Sequence, residues 1–315
     1  MDPILFLHIQ KTAGTSLNKS AEKLFEIHQI ERDYGMDAPH TTDLVRRYIY
    51  ESPTVDQYGF LNATEAKNTR WITGHAPADR YLHLYGAQNT ISFVRDPFDR
   101  ILSEYRYRKR AGNMDRSLEE FYQTPAETNK QFAMIGNAPW RAFHLVGSME
   151  TYEQCVSMLA QELELPFKIL HENKNTDTSG VKNISDNLQN AIRKHNALDY
   201  SFVAQVRGYL DQRLAAFKAD QAFCYHDLTF EPDRHFIGWA FYRGSEEPVN
   251  VELWVDGKLQ TSVQASEHRP ELQAVGAPRL GHSGFRFVLE GLRSAQRLEL
   301  VAADTGQTLF NWQRD

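Results

Sequence analysis

Hydrophobic and polar positions follow two different rhythms along this chain of 315 residues. In its first part, short apolar runs alternate with longer stretches at helical spacing. Ile4 to Ile9 is a β-compatible apolar run followed by turn-forming residues, which predicts a buried strand. Gln10 to Ser16 is a loop of small residues, and Leu17 to Ile30 carries Leu17, Ala21, Leu24, Phe25 and His28 at helical spacing. Trp71 to Gly74 and Thr90 to Val94 are two more strand-like runs; the first closes on Gly74-His75, the second on Arg95-Asp96-Pro97. Pro97 suits the first turn of a helix through Arg110. Leu118 to Phe121, Asn129 to Met134, Tyr152 to Leu163, Ser185 to His195 and Tyr200 to Lys218 read as further helices. Phe167 to Leu170 reads as a fourth strand, followed by a polar loop, His171 to Gly180. Strands alternating with helices predict a parallel sheet covered on both faces. Strand, small-residue loop, helix is also the order of a phosphate-binding unit.

Near Phe230 the rhythm changes. Val249 to Val255, Leu259 to Val263, Gly284 to Leu289, Arg297 to Val301 and Thr308 to Trp312 are short and alternating, with the hairpin signal Asp256-Gly257 between the first two. The fold expected is α/β, a P-loop-like parallel sheet flanked by helices over residues 1–228. A small C-terminal all-β sandwich follows over residues 229–315.

Composition narrows the ligand. A content of 41% hydrophobic and 24% charged residues is that of a folded protein with a core. A net charge of -6 argues against general nucleic-acid binding. Against that background, Arg95, Arg100, Arg106, Arg108, Lys109, Arg110 and Arg116 form a local basic stretch, which suits a small anionic ligand. The two cysteines, Cys155 and Cys224, stand far apart, with no paired C-x-x-C and no obvious carboxylate pair, so no metal site is expected. Ile4 to Leu7 is too short for a signal-peptide core, and no apolar run is long enough to span a membrane. The expected location is therefore cytoplasmic.

The sharpest local signal is His8-Ile9-Gln10-Lys11-Thr12-Ala13-Gly14-Thr15-Ser16. Free backbone N–H groups at the start of a helix hold a phosphate or sulfate. Ala13 and Gly14 let the backbone approach, Thr15 and Ser16 add hydroxyls, and Lys11 adds a mobile positive charge. The lysine precedes the glycine, which disfavours an ordinary ATPase or GTPase loop. The segment Phe6 to Ser16 closely resembles the 5′-phosphosulfate loop of the heparan sulfate 6-O- and 2-O-sulfotransferases and their bacterial relatives.

A second segment, Ile91 to Tyr105, resembles the 3′-phosphate motif of the same enzymes. An arginine at a strand end can fork onto a phosphate. The resemblance gives Arg95 and Ser103 as ligands of the donor's 3′-phosphate; Asp99 and Arg100 are candidates to cap and brace the helix, with Arg100 as a direct phosphate ligand the alternative. It further implies the donor PAPS (3′-phosphoadenosine 5′-phosphosulfate), with PAP as the nucleotide product and no metal. Lys11, Thr12, Ala13, Gly14, Thr15 and Ser16 then hold the 5′-phosphosulfate, and Lys11 neutralises the departing phosphate.

The acceptor hydroxyl needs a base with a pKa near neutrality. His75 ends a strand, where ligands of doubly wound sheets sit. Its segment is similar to the one that carries the catalytic histidine of the 2-O-sulfotransferases, which have a second histidine two residues earlier. Here that position is Thr73. His8, inside the first strand, is expected to be structural, and His83 is a weak competitor. Asn129-Lys130-Gln131-Phe132 resembles a helix segment near the donor, Lys174 is a candidate for the crevice rim, and Trp140 and Arg141 are candidates for the acceptor side. Gly238-Trp239-Ala240 and Gly281-His282-Ser283-Gly284-Phe285 resemble a small module of bacterial glycan-modifying enzymes and carry no expected chemistry.

The reading is an O-sulfotransferase with in-line transfer to a hydroxyl-bearing acceptor, a carbohydrate first. A lipid or a small alcohol stays open as acceptor. The rivals are a nucleotide-dependent phosphotransferase and an inactive glycan-binding module.

Overall fold

A five-stranded parallel sheet opens the chain and places the strand ends that matter. The structure, a computed structural model, describes residues 2–52, 54–170, 184–291 and 294–314. The strands are β1 (Ile4–Leu7), β2 (Ile30–Asp33), β3 (Trp71–Gly74), β4 (Thr90–Val94) and β5 (Leu145–Ser148), in the order β2-β3-β1-β4-β5. All the pairings are parallel. β1, β3, β4 and β5 are buried along their whole length, as expected of strands covered on both faces. From β1 the chain leaves toward β2, and from β4 it leaves toward β5, on the opposite side of β1. The neighbouring ends of β1 and β4 therefore form the switch point at which open α/β sheets bind ligands.

Two of these strands escape the hydrophobic pattern. The helix expected through Ile30 stops at Ala21, and Ile30–Asp33 becomes an edge strand. Its Glu31 and Asp33 are fully buried, paired with Lys67 (2.6 Å) and Arg80 (2.7 Å), so the strand has no apolar signature. Leu145–Ser148 is short and holds Gly147, where a side chain would collide with the Phe93 ring. Phe167 to Leu170 forms no strand. Phe167 instead packs its ring against Trp71 (5.9 Å) from an irregular segment. The polar loop expected at His171 to Gly180, with Lys174, lies outside the described residues.

Contacts divide the chain into two compact units: Met1–Tyr85, Asn89–Trp140 and His144–Asp211 in one, Gly86–Gln88, Arg141–Phe143 and Gln212–Asp315 in the other. The second unit is a sandwich of two antiparallel sheets. One runs β10-β11-β7-β6: Glu267–His268, His282–Val288, His235–Tyr242 and Cys224–Glu231. The other runs β13-β12-β8-β9: Gln307–Gln313, Arg297–Ala302, Asn250–Val255 and Lys258–Gln264. Phe236, Ala240, Phe285 and Phe287 of the first sheet meet Val251, Leu253, Leu298 and Leu300 of the second in one apolar core. Asp256 and Gly257 join β8 to β9 with φ of 50° and 77°, the left-handed pair of a type I′ turn. Among the described residues, no helix is long and apolar enough to cross a membrane.

Candidate active site

The loop after β1 is strained in a useful way. Lys11 and Ala13 both hold left-handed backbone, φ 69° and 67°, which costs non-glycine residues energy and concentrates at ligand sites. Thr12 between them is fully buried, and its hydroxyl donates to the Ile9 carbonyl (2.8 Å), bracing the loop from below. Ser16 and Leu17 N–H donate to the Ala13 carbonyl (3.0 and 3.4 Å), which starts the helix Gly14–Ala21. The backbone N–H groups of Thr12, Ala13, Gly14 and Thr15 have no acceptor among the described residues. Such orphan donors, with the helix dipole behind them, attract an anion. Thr15 is exposed and Ser16 is buried in the first turn.

Charge converges on this loop. The Lys11 ammonium lies over the Tyr107 ring, 4.1 Å from its centre. Burial lowers the Lys11 pKa, Arg110 and Arg95 lower it further, and Glu104 opposes them. Arg95 Nη1 donates to the Lys11 carbonyl (3.4 Å), so the two sequence motifs meet at the switch point. Arg95 itself is held by Gln131, a fully buried side chain. The Gln131 carbonyl accepts from Arg95 N–H, and its amide donates to the Arg95 carbonyl, both at 2.9 Å. Asp199 in turn accepts the N–H groups of Gln131 (3.3 Å) and Phe132 (2.8 Å). Ser103 lies half-buried on the Pro97–Arg110 helix. Asp96 caps that helix through Asp99 N–H (3.1 Å), while Arg100 is wholly buried and donates to Glu127 (3.1 Å). Arg100 is thus a brace inside the fold, and the cap belongs to Asp96 rather than Asp99.

His75 follows β3. Its N–H donates to the Asp33 carbonyl (2.8 Å), and a side chain on Gly74 would overlap that same carbonyl. Its Nδ1 is 2.8 Å from the His8 carbonyl oxygen. A carbonyl only accepts, so Nδ1 carries the proton and Nε2 keeps its lone pair. His8 (4.7 Å between ring centres) and Tyr34 (4.7 Å, edge to face) enclose the ring. Burial lowers the His75 pKa; the His8 carbonyl raises it, the Lys130 charge lowers it, and Glu104 and Asp33 raise it. A half-buried neutral imidazole with one free lone pair is equipped to take a proton.

Thr73, where the 2-O-sulfotransferases have their second histidine, lies within β3 opposite Phe6. The imidazole beside His75 comes instead from His8, one residue past the end of β1, whose N–H donates to the Gly74 carbonyl (3.0 Å). Gln131, Asp199 and Tyr34 are the other supporting residues; Asp199 stands in Leu198-Asp199-Tyr200, a segment that resembles the family's final helix, and Tyr34 had no signal in the sequence. Gln131 stands in a segment already marked by its resemblance, which was the available signal. His83 bonds Gln57 at an exposed position (2.9 Å). Trp140 is buried against Phe202 and Tyr209, and Arg141 pairs with Asp227 (2.9 Å) in the second unit.

Residues 1–217 match the model of a family described as the sulfotransferase family. No curated protein matches the chain. Among solved structures it is similar to a sulfotransferase from Alicyclobacillus acidocaldarius, at 15% identity and a TM-score of 0.33, covering 66% of this chain and 96% of that one.

Proposed function

The chain belongs to the sulfotransferase family, and on that premise we propose that it transfers a sulfuryl group from PAPS to a carbohydrate hydroxyl, with His75 as general base. One observation carries this reading: the His75 Nδ1–H bond to the His8 carbonyl (2.8 Å) leaves Nε2 as the proton acceptor. The base stands beside a loop whose free N–H groups suit the 5′-phosphosulfate. Lys11, Thr12, Ala13, Gly14, Thr15 and Ser16 form that loop, Thr12 through its backbone because its hydroxyl is committed to Ile9. Arg95 and Ser103 hold the 3′-phosphate.

The acceptor oxygen bonds to sulfur as the bond from sulfur to the bridging oxygen breaks. The proton passes to His75 Nε2, and the electron pair leaves with the phosphate of PAP. Lys11 swings from the Tyr107 ring to the bridging oxygen and neutralises the charge that builds there. No step of this scheme uses a metal. The chemistry belongs to the parallel-sheet unit, and the C-terminal sandwich carries no step of it.

Calorimetric titration of PAP into the full chain and into Arg95→Ala tests the donor site. Micromolar binding lost in the variant supports it; binding of ATP in place of PAP moves the reading to a phosphotransferase. Transfer of labelled sulfate to polysaccharides, against a lipid and a small-alcohol panel, decides the acceptor.

A further inference from the structure

Gly14 has a neighbour that a phosphate loop does not require. A Cβ at Gly14 would overlap the His8 ring at Cδ2 and Nε2, so the glycine leaves a notch that an imidazole fills. The His8 ring is 8% exposed, stacks on Phe6 (5.5 Å, 11° between planes) and lies 4.7 Å from the His75 ring. Its Nδ1 is buried and makes no hydrogen bond to any described residue. A buried ring that ignores its own polar atom is there for its shape and place. The same residue's carbonyl fixes the tautomer of His75. One residue therefore touches the first helical turn of the donor loop with its ring and the base with both its ring and its backbone.

We infer that His8 is a positioning residue that couples the donor loop to the base: its ring, seated in the Gly14 notch, sets where the His75 ring stands. The inference rests on the sulfuryl-transfer reading for its meaning, but its first test does not. His8 takes no proton in this scheme and holds no substrate. A shift of the loop on donor binding passes through the Gly14 contact to His8 and from His8 to His75. The groups that face His75 are His8 from the end of β1, Tyr34 and Asp33 from β2 and its exit, Glu104 from the Pro97–Arg110 helix, and Lys130.

The test uses the full chain with ring-labelled histidine, followed by nitrogen–proton NMR, with PAP as the probe. In the wild type His75 is the Nδ1–H tautomer and titrates below the ordinary histidine range, and PAP moves its resonances. In His8→Ala the backbone bond and the tautomer persist. Water enters beside the ring, the titration shifts up toward the ordinary range, and the response to PAP is lost. The kcat for sulfuryl transfer falls by about 10- to 100-fold, the scale of a misplaced catalytic group, with PAP affinity changed by about threefold or less. His8→Phe restores a ring without sacrificing a hydrogen bond and recovers most of kcat. Gly14→Ala weakens PAP binding, and Gly14→Ala/His8→Ala, with the notch emptied, recovers it.

The inference is overturned if His75 titrates and responds to PAP identically in the wild type and His8→Ala. It is equally overturned if the double variant binds PAP no better than Gly14→Ala, because the glycine then serves the anion alone. Failure of the wild type to bind PAP refutes the donor reading instead, and the His75 tautomer and titration in His8→Ala still decide the role of His8.

Discussion

Both units have apolar cores, but they differ in how much charge those cores hold. In the parallel-sheet unit Glu31, Asp33, Arg100, Glu104, Glu127, Gln131 and Asp199 are all buried. In the sandwich the core is Phe236, Val251, Leu253, Phe285, Phe287 and Leu300, with His226 and Ser283 as rare polar members. Buried charge is costly unless paired and hydrogen-bonded. In the first unit Gln131 clamps the Arg95 backbone, and Asp33 accepts the His75 N–H through its own carbonyl. In the sandwich an apolar core lies between the sheets, and Gln307 also joins them through two hydrogen bonds to the Cys224 backbone (2.8 and 2.9 Å). The sandwich shows how the same chain closes a core with few buried polar groups.

Substitutions sharpen the contrast. His75→Gln should lower kcat by about 10²- to 10⁴-fold, the usual contribution of a general base, while leaving PAP affinity and the melting temperature unchanged. A rate within a few-fold of the wild type would remove His75 as the base. In the sandwich, Leu300→Ala should cost about 2–5 kcal/mol in denaturant unfolding and leave PAP affinity unchanged. Acid should weaken the sandwich through His226, whose pKa burial lowers to about 4. Between there and the ordinary value near 6.5 the unfolded chain binds a proton that the folded chain refuses. Stability is therefore full above about 6.5 and falls by about 3 kcal/mol as pH drops toward 4. Unfolding of His226→Phe followed across that window should lose this slope. Arg95→Ala should weaken PAP by about 10- to 100-fold, the scale of hydrogen bonds to a charged group. Gln131→Leu should reproduce about a tenth of that loss or more, because it frees the Arg95 backbone. The smallest effect is on the acid limb of kcat/KM, expected below about 6.5 because burial keeps His75 neutral. A limb above that value would mean a base other than His75.

Much of the candidate site was legible residue by residue. Lys11 to Ser16 lie in one loop and Arg95 at one strand end, and a loop that starts a helix carries its orphan donors wherever the fold places it. The five short strands expected in the C-terminal part appear in the sandwich with ends shifted by a residue or two, since period-two alternation is a local property. Strand β2 was hidden because it buries Glu31 and Asp33, and a buried carboxylate looks like a surface one until its partner is known.

By itself, then, the sequence determined the small-residue turn from the first strand into a helix, the Arg95 strand end, the place of His75 after a strand and the change of architecture near Phe230, all of which depend on neighbours along the chain. Only the tertiary structure decided that His8 stands beside His75, 67 residues away, and that Gln131 clamps Arg95, 36 residues away. Those pairings come from the parallel register of β1 with β3 and from a buried amide that has to find its partners. A parallel register is set by packing between segments distant in the chain, so no local pattern records it.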